Sequence, residues 1–469
     1  MADRIFEHRV FSRLYAAVLF AVACTVALFQ WEVNGAILFA YVASAALILS
    51  SRLTDAMLPA MLLSVFVTRC YKSADVFLEK LPWMLPVAVA ILLHFVIYRD
   101  KYRENLDIGP SLWGLLAVAF AVTFGGLGTI SASEYFAGGS LFYVFGLGFG
   151  MVLFYLIVKA NLTHGSANEV VKILYLAGLL ACVCVLRLYI TDLLFDMRAQ
   201  DKHYFQSSNN LSTFLMLAMP MPMFYASKRH VHLLSVLLVY GCILLTGSRG
   251  GLLMGTLEFF IILLVFACRK QSKTGLRLLC GGTFAVVFGA ILLFPAQWMT
   301  FLKIPFDANN SSAQTYVTAL KGYIFADGDA RIQLLGRMKI DLRSNPLFGA
   351  GIGYKGNTDL YRPAKGAMNW YHMWIAQVVG GLGIVGILAY GYQLLHRVVI
   401  FFRNRSLVNL VLFLSYLGLF LMSQVNPGEF CPMPYAALAM TYFVIMEMEE
   451  PPKIEKMEKK PYWKRLLNP

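Results

Sequence analysis

Apolar runs long enough to cross a bilayer recur along almost the whole chain, and they constrain its fold more than any other feature. Stretches such as 14–31, 82–98, 140–158, 171–195 and 277–295 reach or approach the about 20 residues that carry an α-helix across a hydrocarbon core of roughly 30 Å. Lipid offers no hydrogen bonds, so a spanning segment must satisfy its own backbone, and runs of this length do so as helices. Composition agrees. Of the 469 residues 59% are hydrophobic and 14% charged, whereas soluble domains carry about 25% charged residues. The expected fold is an all-α polytopic membrane protein with about 12–14 transmembrane helices. Spans are expected near 14–31, 34–50, 55–69, 82–98, 110–130, 140–158, 171–195, 211–227, 231–246, 251–268, 277–296, 373–395, 408–425 and 432–447. The first run follows Arg4, Arg9 and Arg13 with no small-residue cleavage site and soluble domain after it. It reads as a first transmembrane helix with its N-terminus inside, not as a cleaved signal peptide.

The formal charge of +14 raises the question of nucleic acid, and the placement of the charges answers against it. Lys and Arg gather in short connections, as orientation signals do. With the N-terminus inside, inner segments hold Arg99, Lys101 and Arg103, then Lys228 and Arg229, then Arg269, Lys270, Lys273 and Arg277, then Arg397, Arg403 and Arg405. The outer segments 31–34, 131–139 and 425–432 are acidic or uncharged. The eight cysteines lie mainly in apolar helices without metal-type pairing; Cys182 and Cys184, two apart, leave opposite faces of a helix. They read as small packing residues.

One connection differs from the rest. About seventy residues separate Trp298 from Tyr371, far more than the about 4–6 of an ordinary connector. The same counting places this loop outside, where it is expected to fold over the membrane surface, partly as helix, and carry function. The chain therefore divides into N-terminal transmembrane helices (1–297), an extracytoplasmic loop (298–371), C-terminal transmembrane helices (372–447) and a charged cytoplasmic tail (448–469).

Four residues stand out against this background. Arg249 lies in Thr246-Gly247-Ser248-Arg249-Gly250-Gly251 between two apolar spans. The preceding span, from about Val231 to Thr246, rises only ~24 Å as a helix, so this junction is recessed and its Arg needs a partner. An anion at that depth is one partner; a snorkelling Arg that ends a helix is the plain alternative. Arg331 opens a helix expected over 330–343, four, seven and eleven residues before Leu335, Met338 and Leu342. That register puts it on the apolar stripe, where a guanidinium is expected to meet an anion. Arg337, Lys339 and Arg343 read as solvated charges. His372 stands where the loop re-enters the membrane; it is an interfacial His or, with an unperturbed pKa near 6.5, a proton acceptor. Arg187 lies in the 171–195 span, either paired with Asp192 or facing a substrate.

Other signals are weaker. Ser207, Asn209 and Asn210 are placed to cap a helix. Asp327-Gly328-Asp329 has a metal–nucleotide form that is also an ordinary turn sequence. No metal, cofactor, hydrolase triad, P-loop or dinucleotide fingerprint is expected from the residues.

Three stretches together resemble the superfamily of O-antigen ligases and O-antigen or exopolysaccharide polymerases. They are LLTGSRGGLL, RIQLLGRMKIDLRSNPLFGAGIG, and His372 followed by Gly383-Ile384-Val385-Gly386. Met373 and Leu335 depart from the family, which has Asn after the His and an aromatic residue four after the loop Arg. The resemblance implies metal-independent, inverting glycosyl transfer from an undecaprenyl-pyrophosphate-linked oligosaccharide to an acceptor hydroxyl at the outer face of a bacterial cytoplasmic membrane. It implies pyrophosphate binding by Arg249, Arg331 and Arg187, and catalysis by His372. The acceptor would be a second lipid-linked glycan in a polymerase, lipid A–core in a ligase, or a protein side chain. A lipid-linked-sugar flippase or transporter is the rival of another class; it would show charges near the bilayer midplane.

Overall fold

Helices fill the structure because the apolar runs leave the backbone no other partners. The computed structural model describes residues 9–29, 32–50, 59–60, 63, 81–100, 109–136, 138–161, 166–195, 208–302, 304–307, 312–324, 328–352 and 371–448. The expected span 55–69 lies largely outside the described residues, and the tail after 448 lies wholly outside them. In chain order the helices are α1 (Arg9–Phe29), α2 (Glu32–Leu49), α3 (Leu85–Ile97), α4 (Ser111–Phe124), α5 (Gly138–Leu147), α6 (Phe149–Asn161), α7 (Ser166–Phe195), α8 (Ser208–Ala218) and α9 (Met221–Ala226). They continue with α10 (Leu233–Leu245), α11 (Thr256–Cys268), α12 (Thr274–Leu293), α13 (Pro295–Phe301), α14 (Ala313–Ile324), α15 (Gly328–Ser344), α16 (Trp374–Arg403), α17 (Leu407–Ser423) and α18 (Ala437–Met448).

Among the described residues, four stretches are long and apolar enough to cross a membrane: Ala167–Arg187, Gly251–Cys268, Thr274–Leu293 and Trp374–Arg403. Others are shorter because the sequence interrupts them. The 140–158 run breaks at Gly148 into α5 and α6, and the 211–227 run breaks at Met219-Pro220 into α8 and α9. Proline has no N–H to continue the ladder, which ends α8 there. Leu278, Val286 and Leu293 of α12 are each more than 70% exposed. Such a stripe would be an aggregation-prone patch in water and is an ordinary face in lipid.

Two helix breaks interlock with the segment that follows α15. Gly383 has φ 62° and ψ −152° inside α16, a region open essentially to Gly alone. A Cβ there would lie 2.6 Å from the carbonyl oxygens of Pro346 and Leu347. The backbone groups freed by the break are taken up by residues 346–351. Ile384 and Val385 N–H groups donate to the Pro346 and Leu347 carbonyls (2.9 and 3.1 Å), and Ala350 and Gly351 N–H groups donate to those of Gly380 and Gly381 (both 2.8 Å). The other side of the segment meets the end of α4. Gly126 N–H donates to the Phe348 carbonyl (2.8 Å), and the Asn345 amide donates to the Leu127 carbonyl (2.7 Å). Irregular backbone inside a helical bundle must have its polar groups satisfied by protein, and here three glycine-containing segments satisfy one another.

At the opposite end of α4 a buried cluster closes the bundle. Glu447 accepts from the Ser111 N–H (2.7 Å), the Tyr155 hydroxyl (2.9 Å) and Lys159 Nζ (3.2 Å). The carboxylate thus caps the first turn of α4.

The structure corrects the charge reading at one point. Arg397 is no loop cation and Glu429 is no loop anion: both are buried, with Arg397 Nη1 2.7 Å from Glu429 Oε1 and 2.6 Å from the Tyr416 hydroxyl. Tyr416 lies near the middle of α17, so the segment carrying Glu429 dips back into the bundle. Arg403 and Arg405, at the end of the same helix, are exposed.

Candidate functional site

The Ser-Arg-Gly junction is a polar knot between helix ends. α10 ends at Leu245, Gly247 turns the chain at φ 68°, and a π-helical turn over Gly251–Gly255 leads into α11. Ser248 is buried; its hydroxyl donates to Asn209 Oδ1 (2.6 Å) and accepts from Gly251 N–H (2.9 Å). The Ser212 and Thr246 hydroxyls bond at 2.8 Å. Beside them Asn426 donates to Asn210 Oδ1 (3.2 Å), and the Tyr435 hydroxyl donates to the Asn210 carbonyl (3.1 Å). Asn209 and Asn210 therefore tie helix ends together instead of capping α8 as expected, because they lie within its first turn. Ser207 lies outside the described residues.

Arg249 projects half-buried from this knot, and its guanidinium carbon lies 5.7 Å from the ring centroid of Tyr323. Tyr323 belongs to α14, in the long connection, so that connection reaches over the junction. A cation on an aromatic face contributes about 0.5–1 kcal/mol at exposed sites and more when desolvated. α14 also lines an apolar cavity of ≈ 560 Å³. Tyr316, Val317, Leu320 and Ile324 form its roof, and Leu244 of α10 with Leu253 and Leu257 of the π turn and α11 form its wall. Arg249 sits in the same junction from which that wall continues.

α15 carries position 331, whose side chain lies outside the described residues. Among its described side chains the buried ones are Leu334 and Asp341, with Met338 against Gly380; Leu335 and Leu342 are half-buried. The packing face is thus rotated by about one residue from the expected stripe, and position 331 stands three, seven and ten residues before Leu334, Met338 and Asp341. A helix rises about 1.5 Å per residue, so position 331 lies about 15 Å along the axis from Asp341. Arg337 is not the solvated charge expected: its Nε lies 2.9 Å from Asp341 Oδ2. Lys339 and Arg343 are exposed.

His372 follows Tyr371 at the entry to α16 and has φ 56°, the one left-handed non-glycine residue among those described. Such a conformation costs on the order of 1–3 kcal/mol and persists only when the surroundings impose it. Tyr371 is buried, its hydroxyl donating to Asp341 Oδ2 (2.6 Å) and its N–H to Gln377 Oε1 (3.0 Å). α15 therefore has the entry to α16 at its C-terminal half and the connection from α14 at its start. Arg187 is exposed at the end of the Ala167–Arg187 span; the Asp192 side chain lies outside the described residues, as does Asp327 of the Asp-Gly-Asp turn.

Sequence reading missed the contacts of Asp341, Tyr371 and Gln377. A buried-face carboxylate at helical spacing from Met338 was the one available signal, for Asp341. Comparison with protein-family models, with curated proteins and with solved structures found no match to this chain.

Proposed function

We propose that this helical membrane protein is a glycosyltransferase that moves a glycan from an undecaprenyl-pyrophosphate donor to an acceptor hydroxyl at the outer membrane face. The observation that carries the reading is the junction at Arg249: a cation held beneath a loop helix, beside an apolar cavity of ≈ 560 Å³. A polyprenyl pyrophosphate is an anion on a branched hydrocarbon, and this pairing of guanidinium and apolar wall matches both of its parts. In the proposed step the acceptor oxygen attacks the anomeric carbon and the bond from that carbon to the pyrophosphate oxygen breaks. The imidazole of His372 takes the acceptor proton, and the lipid pyrophosphate leaves as an anion stabilised by Arg249 and Arg331. Arg187 is assigned to the same anion. No metal or other cofactor has a role in this scheme.

A second lipid-linked repeat unit is the acceptor assigned first, which makes the protein a polysaccharide polymerase of a bacterial cytoplasmic membrane. Lipid A–core and protein side chains are the alternative acceptors. The test is a reconstituted assay, wild type beside His372→Ala, with undecaprenyl-pyrophosphate-linked oligosaccharide as sole substrate and products resolved by size. A ladder absent from the mutant supports a polymerase with its chemistry at His372. Modification of lipid A–core or protein alone replaces the polymerase by a ligase or an oligosaccharyltransferase.

A second reading, a lipid-linked-sugar flippase or transporter, is favoured by one observation. The Arg397–Glu429 pair lies inside the bundle, where intramembrane charges commonly mark a pathway. Translocation of a labelled sugar lipid across vesicles, without any glycan transfer, would replace the enzyme reading by this one.

A further inference from the structure

His372 is bracketed on both sides by fixed groups. On the chain before it, Tyr371 is held at three places. Its hydroxyl is bound to Asp341 (2.6 Å), its N–H to the Gln377 side chain (3.0 Å), and its ring rests on Gly380, where a Cβ would come within 2.8 Å of Tyr371 Cζ. On the chain after it, the Met373 carbonyl accepts from Gln377 N–H (2.9 Å). Gln377 thus binds the residues on both sides of His372: its side chain reaches back past the N-cap Met373 to Tyr371, and its N–H makes the first intrahelical bond of α16. Asp341 is itself fixed, since its Oδ2 also accepts from Arg337 Nε (2.9 Å). Asp341, Tyr371 and Gln377 are all nearly inaccessible, at 1%, 1% and 0% exposure, so the contacts are unscreened by water. A helix N-terminus needs no left-handed residue before it, and a structural cap alone leaves the strain at His372 without purpose.

We propose that Asp341, Tyr371 and Gln377 form a positioning frame that imposes the left-handed backbone of His372 and so sets the direction of its imidazole towards the acceptor hydroxyl. This rests on the role given to His372 above. None of the three touches the reacting atoms in this scheme; each acts through the histidine. Because Asp341 is borne by α15, the frame also couples the histidine to the helix that carries Arg331. A proton acceptor works only within hydrogen-bond reach of its proton, so small rotations of the imidazole have large effects on rate.

The experiment compares wild type with Tyr371→Phe, Asp341→Leu and Asp341→Asn in lipid nanodiscs. One readout is the ring-nitrogen NMR signal of His372, assigned by its absence in His372→Gln; the other is glycan transfer over a range of donor concentrations, which separates kcat from KM. Tyr371→Phe and Asp341→Leu are expected to shift or broaden the His372 signals and to lower kcat about 10- to 100-fold with little change in KM. Asp341→Asn keeps an oxygen acceptor for the Tyr371 hydroxyl and is expected to lose less than Asp341→Leu. Unchanged His372 signals in Tyr371→Phe overturn the proposal, as does a loss confined to KM. Should Asp341→Leu fail to fold, Tyr371→Phe, which removes one oxygen atom, decides alone. If wild type transfers no glycan to any acceptor, the functional reading falls while the NMR comparison still decides the frame.

Discussion

His372 combines a strained backbone with the side chain assigned to proton transfer, and the two can be separated. Glycine adopts φ 56° without the steric cost that falls on any residue bearing a Cβ. His372→Gly is therefore expected to be about 1 kcal/mol more stable than His372→Ala, with both inactive in transfer; thermal unfolding in nanodiscs and the transfer assay measure the two effects. Equal stability would mean that the turn relaxes once the imidazole is gone. Arg331→Ala is expected to leave expression intact and remove transfer, and near-wild-type turnover in it and in His372→Ala would refute the proposed site. The turns at Arg249 and His372 were legible in the sequence because each places a polar residue where an apolar run ends. The pairings of Asp341 with Tyr371 and of Asn345 with Leu127 were not. Their partners lie 30 residues away for Tyr371 with Asp341 and 218 away for Asn345 with Leu127, and no local pattern announces a pairing over such separations.

At the scale of elements, the interlock of residues 346–351 with the broken α16 gives the loop its fixed return into the bundle. Gly383→Ala should be severely destabilising. It places a Cβ 2.6 Å from two carbonyl oxygens and forces a side chain into backbone space worth on the order of 1–3 kcal/mol of strain before any clash is counted. Gly391→Ala in the same helix is the control. A Cβ at Gly391 meets nothing within 4 Å, and Ala is favoured over Gly in a helix by up to about 1 kcal/mol. Unfolding temperatures that fall for Gly383→Ala and hold or rise for Gly391→Ala fit the interlock; an equal response in both would mean that α16 straightens at little cost. The run of hydropathy that marked 373–395 as a span was sound for the helix but blind to its break. Gly383 and Gly386 entered the sequence reading only through the family resemblance, and nothing local marks the break until the backbone of residues 346–351 is laid against them. Breaks at Gly148 and Met219-Pro220 escaped for the same reason: hydropathy reports what is buried in lipid, not where a helix is interrupted inside it.

For the whole molecule, the Arg397–Glu429 pair decides between the two functional readings, and it was misread because HRVVIFFRNR looks like one cluster of inner cations. Arg397 stands six residues before Arg403, which is far enough along the helix to put it inside the bundle. There it meets Glu429, the Tyr416 hydroxyl and the rings of Tyr416 and Phe443. Removing one member of a buried pair strands the other and typically costs about 3–5 kcal/mol, whereas replacing both with apolar residues of similar size is often neutral. Arg397→Met and Glu429→Leu are each expected to lower the unfolding temperature, and the double variant to recover most of it. Function then separates the cases. If the pair is a joint that holds the re-entrant segment near Asn426 and the Arg249 junction, the stable double variant transfers glycan as wild type does. If the pair lies on a route for a charged headgroup, the double variant is equally stable yet no longer moves a labelled sugar lipid across the vesicle. Recovery of stability with loss of translocation would place the molecule among transporters, whatever the chemistry near His372.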